Sequence, residues 1–422
     1  MTSPTPRGAR LIDTDPTRSP SVASLLTAEA VRTRARMIFD AGVHGQLAHF
    51  ALHLETLPAC AAFVADTIRQ NYPTLRVPPH SRWRHLDANG HSWADRLGDR
   101  LAHEPRERAR QRIELAVTSV LLDAGAGPHW RWRDPVTGRD FARSEGLALA
   151  SLEAFRDGVF SADPTQPCRA DAAGLSNLSA ARLAAAFQVR DDNPLLGLEG
   201  RIALLKRLGH AITQHKNIYG AEPRVGGLFD HLSRDARDNA VGTAHLLGLV
   251  LSTLGDIWPG RLVIDGISLG DTWRHPAVTI DGPTHGLMPF HKLSQWLSYS
   301  LIEPIRDGGL AVLNWDSLTG LAEYRNGGLF IDMGVIVPRD PALAATPLTP
   351  EMEPIVEWRA LTVALLDQIA PLVRAELGVT AQQMPLAAIL EGGTWAAGRR
   401  VAREKRPDGS PPLNIVSDGT VF

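Results

Sequence analysis

Apolar residues recurring at the helical period, in runs cut short by Gly and Pro, constrain this chain more than any other feature. Leu293, Trp296, Leu297, Ser300 and Leu301 follow i, i+3, i+4, i+7, i+8 and predict a helix over 290–305. A longer amphipathic run over 353–374 carries Ile355, Trp358, Leu365, Leu366, Ile369, Leu372 and Val373 on one side. Thr27 is a candidate N-cap for a helix with Val31, Ala35, Ile38 and Phe39 on one face. Further helices are predicted over 57–70, 104–122, 144–158, 178–189, 199–213 and 233–256. Only Leu262-Val-Ile264 and Ala277-Val-Thr-Ile280 read as short β-branched strands. No linker rich in Pro, Gly or Ser is long enough to separate two cores. The expected fold is mainly α with a few short β-strands, a single large helical domain over 21–422 with room for two lobes. Met1 to Pro20 holds Pro4, Pro6, Pro16 and Pro20 without an apolar stretch, so it reads as a flexible tail and not a secretory signal.

Composition narrows the function classes. A 44% hydrophobic share and 21% charged residues suit a globular core and argue against a disordered chain. The formal net charge of −2 argues against a nucleic-acid binder, which needs a cationic excess. The most hydrophobic run, Ala244 to Leu254, is too short to span a bilayer and reads as a buried helix. Two cysteines, Cys60 and Cys168, make neither a disulfide framework nor a cysteine-rich zinc site, and a cytoplasmic setting is the simplest expectation.

Several common motifs are absent, among them the phosphate-binding P-loop and the Gly-x-Ser-x-Gly elbow. His49 and His53 stand at i, i+4, but Phe50 occupies the place where helical zinc proteases carry a glutamate. The cluster Ser81-Arg-Trp-Arg-His85 admits two readings. Arg82, Arg84 and His85 suit a phosphate, because guanidinium matches its oxygens in a fork. They equally suit a surface loop paired with acids. The richest segment runs from Met288 to Val337. There Asp316 and Glu323 are seven residues apart, which on one helix brings both carboxylates to nearly the same face. Gly327-Gly328 reads as the end of that helix, and His291, Lys292 and Gln295 gather at one end of the preceding one. This is either a catalytic pocket or a solvated helix with salt bridges.

Several stretches carry a resemblance. Asn71-Tyr-Pro73, His80-Ser-Arg-Trp-Arg-His85, Leu121-Leu-Asp-Ala-Gly-Ala-Gly-Pro128 and Ser144-Glu-Gly146 are similar to a uracil-catabolism protein family of fungi and bacteria, long labelled a domain of unknown function. So are Asn193-Pro-Leu-Leu-Gly-Leu-Glu-Gly-Arg201, Thr394-Trp395 and the closing Ser417-Asp-Gly-Thr-Val-Phe422. A more distant similarity joins Phe290-His-Lys-Leu-Ser-Gln295 and Leu318-Thr-Gly-Leu-Ala-Glu-Tyr-Arg325 to the queuosine-nucleotide salvage N-glycosidases. Those have a helical fold related to DNA glycosylases, and Glu323 stands where they carry Asp.

Together the resemblances imply an N-glycosidase of pyrimidine catabolism. It would hydrolyse the C1–N bond of ribosylurea or its 5′-phosphate and release urea, with a functional link to a ring-opening, cyclohydrolase-like enzyme. Glu323, or Asp316 in its place, would stabilise the oxocarbenium ion and activate water. His291 or Lys292 would serve the leaving group, while Tyr324, Arg325 and Gln295 would bind substrate. Arg82, Arg84 and His85 would meet a phosphate. This chemistry calls for no cofactor and no metal, and no nucleic-acid or membrane partner is expected. The competing readings are an amidohydrolase on a ureido compound and a non-enzymatic nucleotide-binding or scaffold protein of the same pathway.

Overall fold

Thr27, in extended conformation, accepts a hydrogen bond from the Ala30 N–H at 3.1 Å and so starts helix α1, Ala28–Val43. The computed structural model describes residues 20–87, 92–123, 125–258 and 262–416. The expected tail, apart from Pro20, and the closing Ser417–Phe422 stretch lie outside these residues. On α1 the buried face is the one the spacing implies, with Val31, Ala35, Ile38 and Phe39 inside. Helix α2, Leu57–Asn71, and helix α3, Pro105–Leu121, both place Pro in the first turn, where a missing N–H leaves no bond unmade. Then come α4, Arg143–Arg156, α5, Leu198–Gln214, α6, Thr243–Leu254, and α7, Lys292–Asp307. The chain finishes with α8, Tyr324–Asp332, α9, Glu353–Leu377, and α10, Ala396–Lys405. A wider π turn, Ile389–Trp395, leads into α10.

Helix α9 is the central rod. It packs on α1 and α2 and supports α8, which lies on α10, while α7 packs between α3 and α6. Four fully buried tryptophans, Trp83, Trp130, Trp132 and Trp358, anchor this core. Each indole N–H has a carbonyl to donate to, at 2.8 Å on Ser300, 2.9 Å on Phe187, 3.2 Å on Ala186 and 3.1 Å on Gly327.

The strands are staples between helices. Phe50–Leu52 pairs antiparallel with Ile336–Pro338, and Ala240–Gly242 pairs parallel with Ala311–Leu313. Val263–Ile264 does form a strand, folding onto Ile267–Ser268 through the left-handed pair Asp265 and Gly266. The expected strand over 277–280 does not form. The Val278 N–H closes a turn onto the His275 carbonyl at 3.2 Å, and pairing falls instead to Thr272–Arg274 with Leu287–Pro289. The helix expected over 233–256 is two helices, because Asp238 and Asn239 take positive φ and break the run between Gly227–Asp235 and α6. The architecture is mainly α with few short strands, as expected. No helix among the described residues is long and apolar enough to cross a membrane. Cys60 and Cys168 are both free and buried.

Candidate active site

Three helices begin at one cavity of about 580 Å³: Arg143 and Ser144 of α4, Lys292 of α7, and Tyr324 and Arg325 of α8 line it. The aligned dipoles of these helix starts favour negative charge there. The π turn contributes Trp395, the 80–85 segment contributes His80 and His85, and the 408–411 stretch closes one side.

Glu323 is the N-cap of α8, not a residue inside a helix. Its carboxylate accepts from the Arg325 N–H at 2.8 Å and the Asn326 N–H at 2.5 Å. The side chain is thereby locked at the cavity wall with the residue only 9% exposed. Burial pushes its pKa above the ordinary 4.5, against the pull of those two amides, Lys292 and His80. Lys292 shows the mirror effect. Burial pushes its ammonium below the ordinary 10.5, while Glu323 raises it and Arg359 adds to the fall. Both groups are moved toward the neutral range, where proton transfer is most effective.

His80 Nδ1 lies 2.6 Å from Glu391 Oε2, so a carboxylate orients this imidazole at the cavity. The His80 ring is 6.0 Å from Trp395 and 6.4 Å from Trp296, and His85 meets both indoles edge-on at 6.0 and 6.1 Å. Two indoles and two imidazoles thus form a flat-walled aromatic box. Burial, with Arg82 nearby, pushes His85 down to about 3, so it is neutral at physiological pH.

Of the residues singled out by sequence, Glu323, Lys292, Tyr324, Arg325 and His85 line this cavity. The others do not. Asp316 lies on a 3₁₀ turn, Trp315–Ser317, its side chain is 44% exposed, and it binds Arg374 at 3.1 Å. The segment between it and Glu323 is not helical, so the two carboxylates do not share a face. His291 is buried in left-handed conformation with Nε2 2.8 Å from the Leu25 carbonyl oxygen. Gln295 is buried too, its amide clamping Thr319 and Phe290. Arg82 is 0% exposed and faces Asp123 at 2.9 Å, while Arg84 pairs with Glu303 at 2.6 Å. Gly327 and Gly328 sit inside α8 instead of ending it. A Cβ at Gly327 would meet Thr362 Oγ1 at 2.7 Å and the Trp358 ring at 2.8 Å.

No motif assigns a role to His80, Asp123, Trp296, Trp395, Arg143 or Ser144, yet all of them line the cavity. Five of these lie in or beside the stretches that carry the family resemblance, which is the signal that could have found them. Trp296 follows the helix period, which core packing explains equally well.

His49 and His53 do not share a helix face. Phe50–Leu52 is a strand, His49 faces Glu353 at 3.4 Å, and His53 faces Glu55 at 3.1 Å. Among the described residues, one group with metal-ligand chemistry, His49, Glu353 and Glu357, brings its candidate atoms within 4.8 Å of one another. None of the three lines the cavity. Glu357 Oε1 already accepts from the His49 and Phe50 amides at 3.2 and 2.9 Å.

Comparison with known proteins places these features in a wider set. The family described as "Protein of unknown function (DUF1688)" matches residues 24–422. The chain is 38% identical to "Uracil catabolism protein 4" of Lachancea kluyveri over 93% of its own length and 97% of that protein. It is 37% identical to "Protein urg3" of Schizosaccharomyces pombe over 95% of its own length and 99% of that protein.

Proposed function

Because this chain belongs to the DUF1688 family and resembles over 93% of its length a protein named for uracil catabolism, we propose that it acts in that process as an N-glycosidase. It hydrolyses the C1–N bond of ribosylurea or its 5′-phosphate and releases urea. The observation that carries this reading is Glu323, a buried carboxylate held by two amides beside Lys292 in an aromatic cavity.

The chemistry follows from the bond. As the C1–N bond breaks, its electron pair goes to the urea nitrogen and positive charge develops over C1 and the ring oxygen. The fixed Glu323 carboxylate stabilises that charge without reorganising. The same group takes a proton from the water whose oxygen bonds to C1. Lys292 gives a proton to the departing nitrogen, so urea leaves neutral and the other product is ribose or its phosphate. The net change is addition of one water. A 5′-phosphate would meet Arg143 and Arg325, the arginines that line the cavity.

The test is incubation of purified protein with ribosylurea and with its 5′-phosphate, measuring free urea, with Glu323→Gln as control. Urea released by the native protein and not by the variant is the expected result, and the relative rates identify the phosphorylation state. Ammonia in place of intact urea would make the protein an amidohydrolase. Binding without turnover would make it a sensor or scaffold.

A further inference from the structure

We propose that Asp123 and Trp296 form a subsite for an open-chain ureido group, –NH–CO–NH2. Asp123 accepts its N–H groups, and the Trp296 indole donates to its carbonyl. The proposal deepens the functional reading above and rests on it for the identity of the substrate.

The tryptophans of the core set the standard. The four fully buried ones all donate their indole N–H to a carbonyl. Trp296, only 6% exposed, has its Nε1 buried without a hydrogen-bond partner among the described residues, and it lines the cavity. An N–H taken from water and left unpaired costs folding free energy, so its survival at a cavity wall points to a ligand.

Asp123 repeats the pattern with the opposite polarity. Its side chain is 8% exposed, and Oδ2 faces the Arg82 guanidinium at 2.9 Å. Oδ1 is buried, has no hydrogen-bond partner among the described residues, and belongs to a residue lining the same cavity. Arg82 is the positioning residue. Its Nε donates to Ser119 Oγ at 2.8 Å, and its guanidinium carbon sits 5.8 Å from the Trp296 ring centroid. One buried guanidinium therefore holds the carboxylate and backs the indole. His85 Nδ1 is a third buried atom without a hydrogen-bond partner among the described residues, and His85 lines the same cavity.

These atoms define a ligand. A carboxylate only accepts and an indole only donates. The occupant must present a donor to Asp123 and an acceptor to Trp296, and the flat rings of Trp296, Trp395, His80 and His85 favour a planar one. A ureido group offers donors and acceptor in one plane. Sugar hydroxyls satisfy such atoms singly and out of plane.

The test is equilibrium binding by calorimetry to Glu323→Gln, chosen to suppress turnover. The titrants are ribosylurea, N-ribosylacetamide (which lacks the terminal NH2), ribose and uridine. We expect ribosylurea to bind about 10–100-fold more tightly than N-ribosylacetamide, as for a hydrogen bond to a charged group. Adding Asp123→Asn should shrink that ratio to about threefold or less. Adding Trp296→Phe keeps an aromatic ring and removes the pyrrole half of the indole with its N–H. It should weaken ribosylurea and N-ribosylacetamide alike, by about tenfold, and leave ribose unchanged. The second variant decides the matter if the first does not fold. Equal binding of ribose and ribosylurea, tighter binding of uridine, no binding of any titrant, or equal weakening of ribose by Trp296→Phe would each overturn the subsite. Selective binding with no urea release by the native protein keeps the subsite and removes the glycosidase. Urea release without selective binding does the reverse.

Discussion

Arg359 grips Asp271 through both ends of its guanidinium, Nη1 to Oδ1 at 2.8 Å and Nη2 to Oδ2 at 2.7 Å. Neither residue lines the cavity, yet the pair holds backbone next to it. Asp271 Oδ2 also accepts from the Lys292 N–H at 3.1 Å, and Arg359 Nε donates to the Ala322 carbonyl at 3.3 Å. Arg359 comes from the central helix α9, so the core rod fixes the backbone at Lys292 and beside Glu323 with one ion pair. Burial pushes the Asp271 carboxyl up, but the charge and hydrogen bonds of Arg359 outweigh it and hold it below the ordinary 3.8.

Breaking this pair should cost more than a surface ion pair would. Arg359→Met leaves Asp271 charged and enclosed, and we expect about 3–5 kcal/mol of lost stability in denaturant unfolding. The contribution of Asp271 is complete above its unfolded pKa and is lost as pH falls through its depressed folded value. The native protein should therefore shed this part of its stability only in strong acid, below pH 3.8. A melting temperature unaffected by Arg359→Met would show that the pair carries no weight.

The pH dependence of turnover should be a narrowed bell. Glu323 works as carboxylate, so activity falls as pH drops through its raised pKa, above the ordinary 4.5. Lys292 works as ammonium, so activity falls as pH rises through its lowered pKa, below the ordinary 10.5. A profile of kcat/KM reports both limbs in the free protein. Lys292→Met should remove the alkaline limb; if the limb survives, another group donates the proton.

His80, held by Glu391 at the cavity wall, is a residue that no motif singled out. His80→Ala should lower kcat by about 100-fold, the usual scale for a lost proton-transfer or hydrogen-bonding group. Glu391→Gln should act through His80, lowering kcat about tenfold with KM nearly unchanged. Steady-state kinetics on ribosylurea separates the two, and a rise in KM alone would make His80 a binding residue.

Close packing under the site is testable with paired glycines. A Cβ at Gly398 would fall on the Arg325 carbonyl oxygen, which is backbone and cannot step aside. Gly398→Ala should destabilise by about 1–3 kcal/mol and reduce activity by shifting the start of α8. At Gly200, on α5, a Cβ would have nothing within 4 Å. Gly200→Ala should be neutral or stabilising by up to about 1 kcal/mol. Thermal melts of the two variants give the comparison, and similar melting temperatures would contradict it.

What was legible in the sequence was local. Thr27 caps α1 as its place before the apolar stripe implies, because a cap is settled within four residues. The period of 3.6 placed α7 and α9 within a few residues of their observed ends, since each apolar stripe repeats over several turns. Glu323 was identifiable as a candidate from its motif, but its part as a cap was not. The stretch 318–323 is short and carries Gly320, so a helix and an extended run read alike.

Tertiary structure alone decided which charges reach the cavity. In sequence Arg82 and Arg84 suit a phosphate and paired acids alike, and the acids they do meet, Asp123 and Glu303, lie 41 and 219 residues away. Lys292 faces the cavity while His291, its neighbour, turns into the core against Leu25. A side chain's neighbours across the fold are set by helix packing, and packing depends on contacts between segments that no local window contains. The chain by itself determined its helices and a carboxylate worth watching; the meeting of Glu323, Lys292, His80, Asp123 and Trp296 around one space was settled only when those helices were brought together.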